Sequence, residues 1–98
     1  MTQYMVEFDL PTPYSEEFLA KIPLQKMVVD ELMEEGKITS YALSMDRARL
    51  WMVLNADSEF AVLDVINEFP LIQDMHYIIT ELMFNHAGAI QVPAFSLN

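Results

Sequence analysis

Glu7 and His76 are the residues of this sequence best suited to pass a proton between them. A carboxylate can orient one imidazole nitrogen and leave the other free to exchange a proton near neutral pH, which is general acid–base chemistry without a cofactor. The two residues lie near opposite ends of the chain, so they can share one cavity wall only if the first and last strands are neighbours. Ser40, Thr80 and Trp51 would then lie nearby as ligand-binding candidates, the hydroxyls for a polar atom and the indole for a planar one. Tyr41, next to Ser40, is a further candidate. The plainer alternative is that His76 is hydrogen-bonded or solvated at a strand end, that Glu7 meets water, and that Trp51 packs in a core or an interface.

Other chemistries find less support. His76 and His86 with Glu7 or Glu81 match no metal-ligand spacing, so no metal is expected. The sequence has no cysteine and no glycine-rich phosphate loop or nucleophile elbow, which leaves covalent ester chemistry and nucleotide hydrolysis unsupported and implies no cofactor. Arg47 and Arg49 lie close to Asp46 and are expected to form surface ion pairs.

The elements that must position these residues are readable from periodicity. Tyr4, Val6, Phe8 and Leu10 alternate with Met5, Glu7 and Asp9, as in a half-buried strand. A helix is expected from Thr12 as N-cap and Pro13 as first helical residue, with apolar positions Phe18, Leu19, Ile22, Met27, Val28 and Leu32, a kink or break at Pro23, and a left-handed stop at Gly36. Residues 37–55 read as a β-hairpin turning at residues 45–49. Tyr41, Leu43, Leu50, Met52 and Leu54 are expected on its helix-facing side, and Ile38, Ser40, Ala42, Trp51 and Val53 on the other. Asp57 or Ser58 can cap a second helix carrying Val62, Leu63, Ile66 and Phe69 and stopped by Pro70. A strand over residues 72–84 closes the pattern.

The order is β-α-β-β-α-β, the ferredoxin-like arrangement: α+β, with a four-stranded antiparallel sheet and two helices on one face. At 98 residues the chain is one domain. Residues 1–86 form that domain, and residues 87–98 a tail with scattered apolar side chains, expected to dock on a neighbouring subunit or to fold back over its own sheet. With 53% hydrophobic and only 20% charged residues, the composition is apolar for so small a protein. The second sheet face, with Met5, Ile38, Ala42, Trp51 and Val53, is expected to be buried against another copy, giving a homodimer or a higher multiple of dimers. A formal charge of −10 disfavours nucleic acid and anionic membrane surfaces as partners. No apolar run spans a bilayer and no signal peptide is evident, so a cytoplasmic location is expected.

Four stretches together resemble the muconolactone isomerases and their relatives in the dimeric α+β barrel superfamily. They are the first strand with its Asp9-Leu10-Pro11 end, Leu32-Met33-Glu34-Glu35-Gly36 at the helix end, the hairpin, and Asn67-Glu68-Phe69-Pro70-Leu71 leading through Met75 into the last strand. The resemblance covers the chain to about His86. It implies two sheets closing face to face around a small-molecule cavity, and an isomerase that shifts a double bond by cofactor-free proton transfer. Where that family places basic and aromatic residues after the helix-ending glycine and a basic residue in the first strand, this chain has Ile38, Thr39, Ser40 and Tyr41, and Glu7. A neutral organic ligand is therefore expected, handled by His76 and Glu7. A non-catalytic homo-oligomeric carrier or sensor is the alternative, with Trp51 and the methionines forming the binding surface. In the resemblance, His76, Ile78 and Thr80 of the last strand face the cavity, and Met75, Tyr77 and Ile79 face the helices.

Overall fold

Alternation and capping produce the expected order in a computed structural model, which describes residues 2–86: β1 (Thr2–Asp9), α1 (Glu16–Glu34), β2 (Ile38–Leu43), β3 (Arg49–Ala56), α2 (Glu59–Ile66) and β4 (His76–Leu82). The strands form one antiparallel sheet in the order β2-β3-β1-β4. This is the ferredoxin-like α+β arrangement. Its core lies between the sheet and the two helices, where Tyr4, Val6 and Phe8 of β1 and Met52 and Leu54 of β3 meet Phe18, Val29 and Leu32 of α1 and Val62, Val65 and Ile66 of α2. Phe8 is central, its ring 6.0 Å from Phe69 and 6.2 Å from Tyr77.

Both helices begin at a serine whose hydroxyl accepts from a backbone N–H otherwise left without a partner. Ser15 Oγ takes Phe18 N at 3.1 Å, and Ser58 Oγ takes Ala61 N at 3.2 Å. The first cap thus lies three residues beyond Thr12. α1 ends as foreseen at Gly36, which adopts φ +79°. Gly36 N donates to Met33 O and Lys37 N to Leu32 O, satisfying two terminal carbonyls in a Schellman arrangement.

α1 runs without interruption through Pro23, contrary to the expected kink or break. Pro23 is exposed, so water can reach the carbonyl that loses its donor, while the buried stripe continues on the opposite side. That stripe is Phe18, Ile22, Gln25, Val29 and Leu32, at helical spacing. Leu19 and Met27, expected to be apolar contacts, are half exposed instead.

The hairpin departs from simple alternation at one point. Ile38 pairs with Leu54 and Ser40 with Val53, so two residue steps on β2 match one on β3, and Thr39 is the extra residue of a β-bulge. The bulge turns Ile38 into the core at 2% exposure, although strict alternation placed it on the other face with Ala42. Polar contacts bracket the bulge: Asn55 Nδ2 donates to Gly36 O, and Gln3 Nε2 donates to Asn55 Oδ1 and Thr39 Oγ1. The last strand also starts later than expected, because Ile72–Asp74 form a single 3-10 turn before it. The tail at residues 87–98 lies outside the described residues. Among the described residues, no helix is long and apolar enough to cross a membrane.

Candidate functional site

The side chains that could carry chemistry fall on opposite faces of the sheet. On the face away from the helices, the strand register sets out rows across the sheet. Arg49, Asp9 and His76 form the first row; Ala42, Trp51, Glu7 and Ile78 the second; Ser40, Val53, Met5 and Thr80 the third. Glu7, His76, Ser40, Trp51 and Thr80 thus share one face, and β1 and β4 are neighbours. β4 presents His76, Ile78 and Thr80 on this face, while Tyr77 and Ile79 lie on the helix side opposite Phe8 and Val6. Glu81 lies opposite Tyr4 on the helix side, which separates it from Glu7 and His76. Among the described residues no group of three His, Asp or Glu side chains is placed to hold a metal.

Glu7 and His76 are diagonal neighbours, a position that sets residues about 7–8 Å apart. No hydrogen bond or ion pair joins them. Glu7 is held by Arg49, whose Nη1 donates to Oε2 at 2.7 Å, and Arg49 Nε lies 3.7 Å from Asp9 Oδ1. The guanidinium therefore bridges the two carboxylates of β1. Sequence reasoning assigned Arg49 to a surface ion pair at the turn but did not connect it with Glu7. The signal was its place as first residue of β3, directly opposite Asp9.

The hairpin turn beyond Arg49 is tightly bonded. Asp46 Oδ1 accepts from Ser44 Oγ at 2.6 Å and from Ala48 N at 3.0 Å, and these bonds hold its carboxyl below the usual carboxylate range. Arg47 takes φ 64° within this turn, and its carbonyl accepts from Tyr14 Oη at 2.8 Å. Leu10 N donates to Ala48 O, so the end of β1 and the start of the α1 segment are both tied to the hairpin.

Tyr41 is separated from the other candidates. It pairs with Met52 and faces the helix side, as the alternation foresaw, so it cannot join Ser40 and Trp51 in one site. Instead it lines an apolar cleft of about 240 Å³. α1 contributes Phe18, Ile22, Gln25, Lys26 and Val29 to this cleft; the sheet contributes Tyr41, Leu43, Leu50 and Met52; Leu10, Tyr14, Leu71 and Met75 complete it. The cleft exists because β2 is an edge strand that α1 covers incompletely, leaving Tyr41 and Leu43 partly exposed.

Few polar groups meet this cleft, and two are already engaged. The Tyr14 hydroxyl donates to Arg47 O, and burial pushes its pKa up. Lys26 Nζ donates to Asp30 Oδ2 at 2.8 Å, a bond that raises the ammonium's pKa. Gln25 is different: it is 8% exposed, and its Oε1 accepts from Leu71 N at 3.2 Å. Its Nε2 is buried with no hydrogen-bond partner among the described residues. A buried donor left unmade costs about 1–3 kcal/mol. Sequence reasoning missed Gln25; its signal was a polar residue seven positions after Phe18 and seven before Leu32, in the helical core stripe.

The chain matches no family model, and no curated protein matches it.

Proposed function

We propose that this protein is a small-molecule-binding homo-oligomer, a carrier or sensor that holds a small organic molecule in the apolar cleft beneath α1, on the opposite side of the sheet from the between-sheet cavity that the muconolactone isomerase resemblance implies. The observation that carries this reading is the cleft itself. A concave cleft of about 240 Å³, open to solvent at the β2 edge and bordered by apolar and aromatic side chains, has the character of a small ligand site. The ferredoxin-like order and the motifs at Asp9-Leu10-Pro11 and Asn67-Glu68-Phe69-Pro70-Leu71 support the family resemblance.

Copies of the chain pair through the face opposite the helices. Met5, Ala42, Trp51 and Ile78 lie in adjoining rows there, and two copies related by a two-fold axis would bury them together, closing two sheets into an α+β barrel. Native mass spectrometry on freshly purified, untagged protein tests both parts of the reading. A dimer or a multiple of dimers with additional small-molecule mass is expected. A bare single chain at micromolar concentration would count against both.

A second reading is favoured by one observation, the position of Arg49. It brings a cation to Glu7 and Asp9, with His76 in the same row as Asp9, so this end of the paired face could run a cofactor-free proton-transfer isomerisation. Such an enzyme would incorporate solvent deuterium at carbon in the molecule it retains, and His76→Ala would abolish that incorporation without unfolding the protein. Equal incorporation by the variant would remove His76 from the chemistry.

A further inference from the structure

We infer that β2 carries a second interface between copies of the chain, separate from the outer-face pairing proposed above. The free edges of two β2 strands pair antiparallel about a two-fold axis, and each copy supplies Leu43 to the mouth of the other's cleft. Among the described residues β2 is an edge strand, paired with β3 alone. Ser44 N donates to Arg49 O, and bonded pairs alternate along an antiparallel ladder, so Ala42 bonds to Trp51 and Ser40 to Val53. The N–H and C=O groups of Tyr41 and Leu43 therefore point away from the sheet. Their side chains line the cleft and are 41% and 51% exposed. The same two residues thus present an open backbone edge and an apolar surface.

Sheet edges that stay free in solution commonly carry charges or proline, which discourage the approach of another strand. β2 has neither, whereas the other edge strand, β4, carries His76 and Glu81. The bulge at Thr39 and the turn after Ser44 confine pairing to the segment between them, and one register satisfies the outward groups there: Tyr41 against the partner's Leu43, and Leu43 against the partner's Tyr41. The axis then passes between the two Ala42 residues, whose side chains are small and lie on the outer face. On the helix side each Tyr41 ring meets a leucine, an aromatic and aliphatic pair of the kind that stabilises neighbouring strands. The α1 rim above this edge carries Lys26 beside Asp30, one charge of each sign, so a two-fold axis sets complementary charges across the mouth. A cleft that a single chain leaves open at β2 gains a further wall from the partner's Leu43.

Hydrogen–deuterium exchange of the ¹⁵N-labelled full chain, followed by NMR beside native mass spectrometry, tests this interface. The Ala42 amide, bonded within the sheet, is the internal reference. Tyr41 and Leu43 amides are expected to be protected as Ala42 is, and to lose that protection on dilution while Ala42 keeps it. Leu43→Pro removes an outward donor and leaves the β3 ladder in place, so it is expected to expose the Tyr41 amide and to halve the mass of the assembly. If Tyr41 and Leu43 exchange freely in a protein that is still oligomeric, the β2 interface is overturned and the outer-face pairing stands. If they are protected and the assembly holds two chains only, the β2 interface stands and the outer-face pairing falls. Free exchange in a single chain overturns both. Protection that persists in a single chain overturns the β2 interface too, since the edge is then covered from within. Should Leu43→Pro not fold, the amides of the unaltered protein decide.

Discussion

On the helix side of the sheet Val6, Phe8 and Leu54 are fully enclosed, whereas on the other side Ile78 remains 65% exposed beside Glu7. The same four strands make both faces, and period-two alternation divides their residues between them. The helix side is a packed core bordered, beneath α1 at the β2 edge, by the apolar cleft. The other side is a mixed surface, where Ala42, Trp51, Ile78, Met5 and Val53 are interleaved with Ser40 and Thr80 and the end is charged, with Arg49 bridging Glu7 and Asp9. Stability therefore resides on the first face. In the proposed pairing, assembly and any proton chemistry would belong to the second. The cleft is bordered by apolar side chains, while the ion pairs of the other face are partly exposed and act through a high dielectric.

The largest test of this division is Phe8→Ala, which empties the centre of the core and is expected to destabilise the protein by about 3–5 kcal/mol in urea unfolding. Ile78→Ala, on the neighbouring strand but the opposite face, is expected to cost under about 0.5 kcal/mol at protein concentrations low enough to keep chains apart. Comparable losses from the two would erase the distinction between the faces.

The bulge at Thr39 sharpens the same comparison within one strand. Ile38→Ala is expected to cost about 3 kcal/mol because the bulge carries this side chain into the core. Ser40→Ala, two residues on and facing the other way, is expected to change stability by less than about 0.5 kcal/mol. A small loss for Ile38→Ala would return that residue to the outer face, where plain alternation had placed it.

The smallest expected effect is that of Arg49→Ala. Its ion pairs are partly exposed, so the loss is expected to be about 0.2–1 kcal/mol and to shrink as salt is added. A loss of several kcal/mol, insensitive to salt, would mean that this end of the face is shielded from water and belongs with the core.

How much was legible in advance differs between the two faces. The core on β1, β3 and α2 could be read from spacing alone, since Tyr4, Val6 and Phe8, Leu50, Met52 and Leu54, and Val62 and Ile66 recur at the periods of the elements that bury them. The candidate site was legible only in part. Glu7, Ser40, Trp51, Thr80 and His76 do share a face, but Tyr41 lies across the sheet, and the Glu7–Arg49 contact joins residues 42 positions apart. Periodicity assigns a side chain to a face; it does not say which distant charge will be nearest.

By itself the sequence determined the order of elements, the faces of most strand residues and the stop at Gly36, because these depend on backbone geometry and on neighbours within a few positions. Only the tertiary structure decided that Thr39 would bulge and turn Ile38 inward, that α1 would pass through Pro23, and that Gln25 would sit buried against Leu71. Those outcomes depend on which segments pack together, and the packing free energy gathered along a whole helix or sheet outweighs a single local preference.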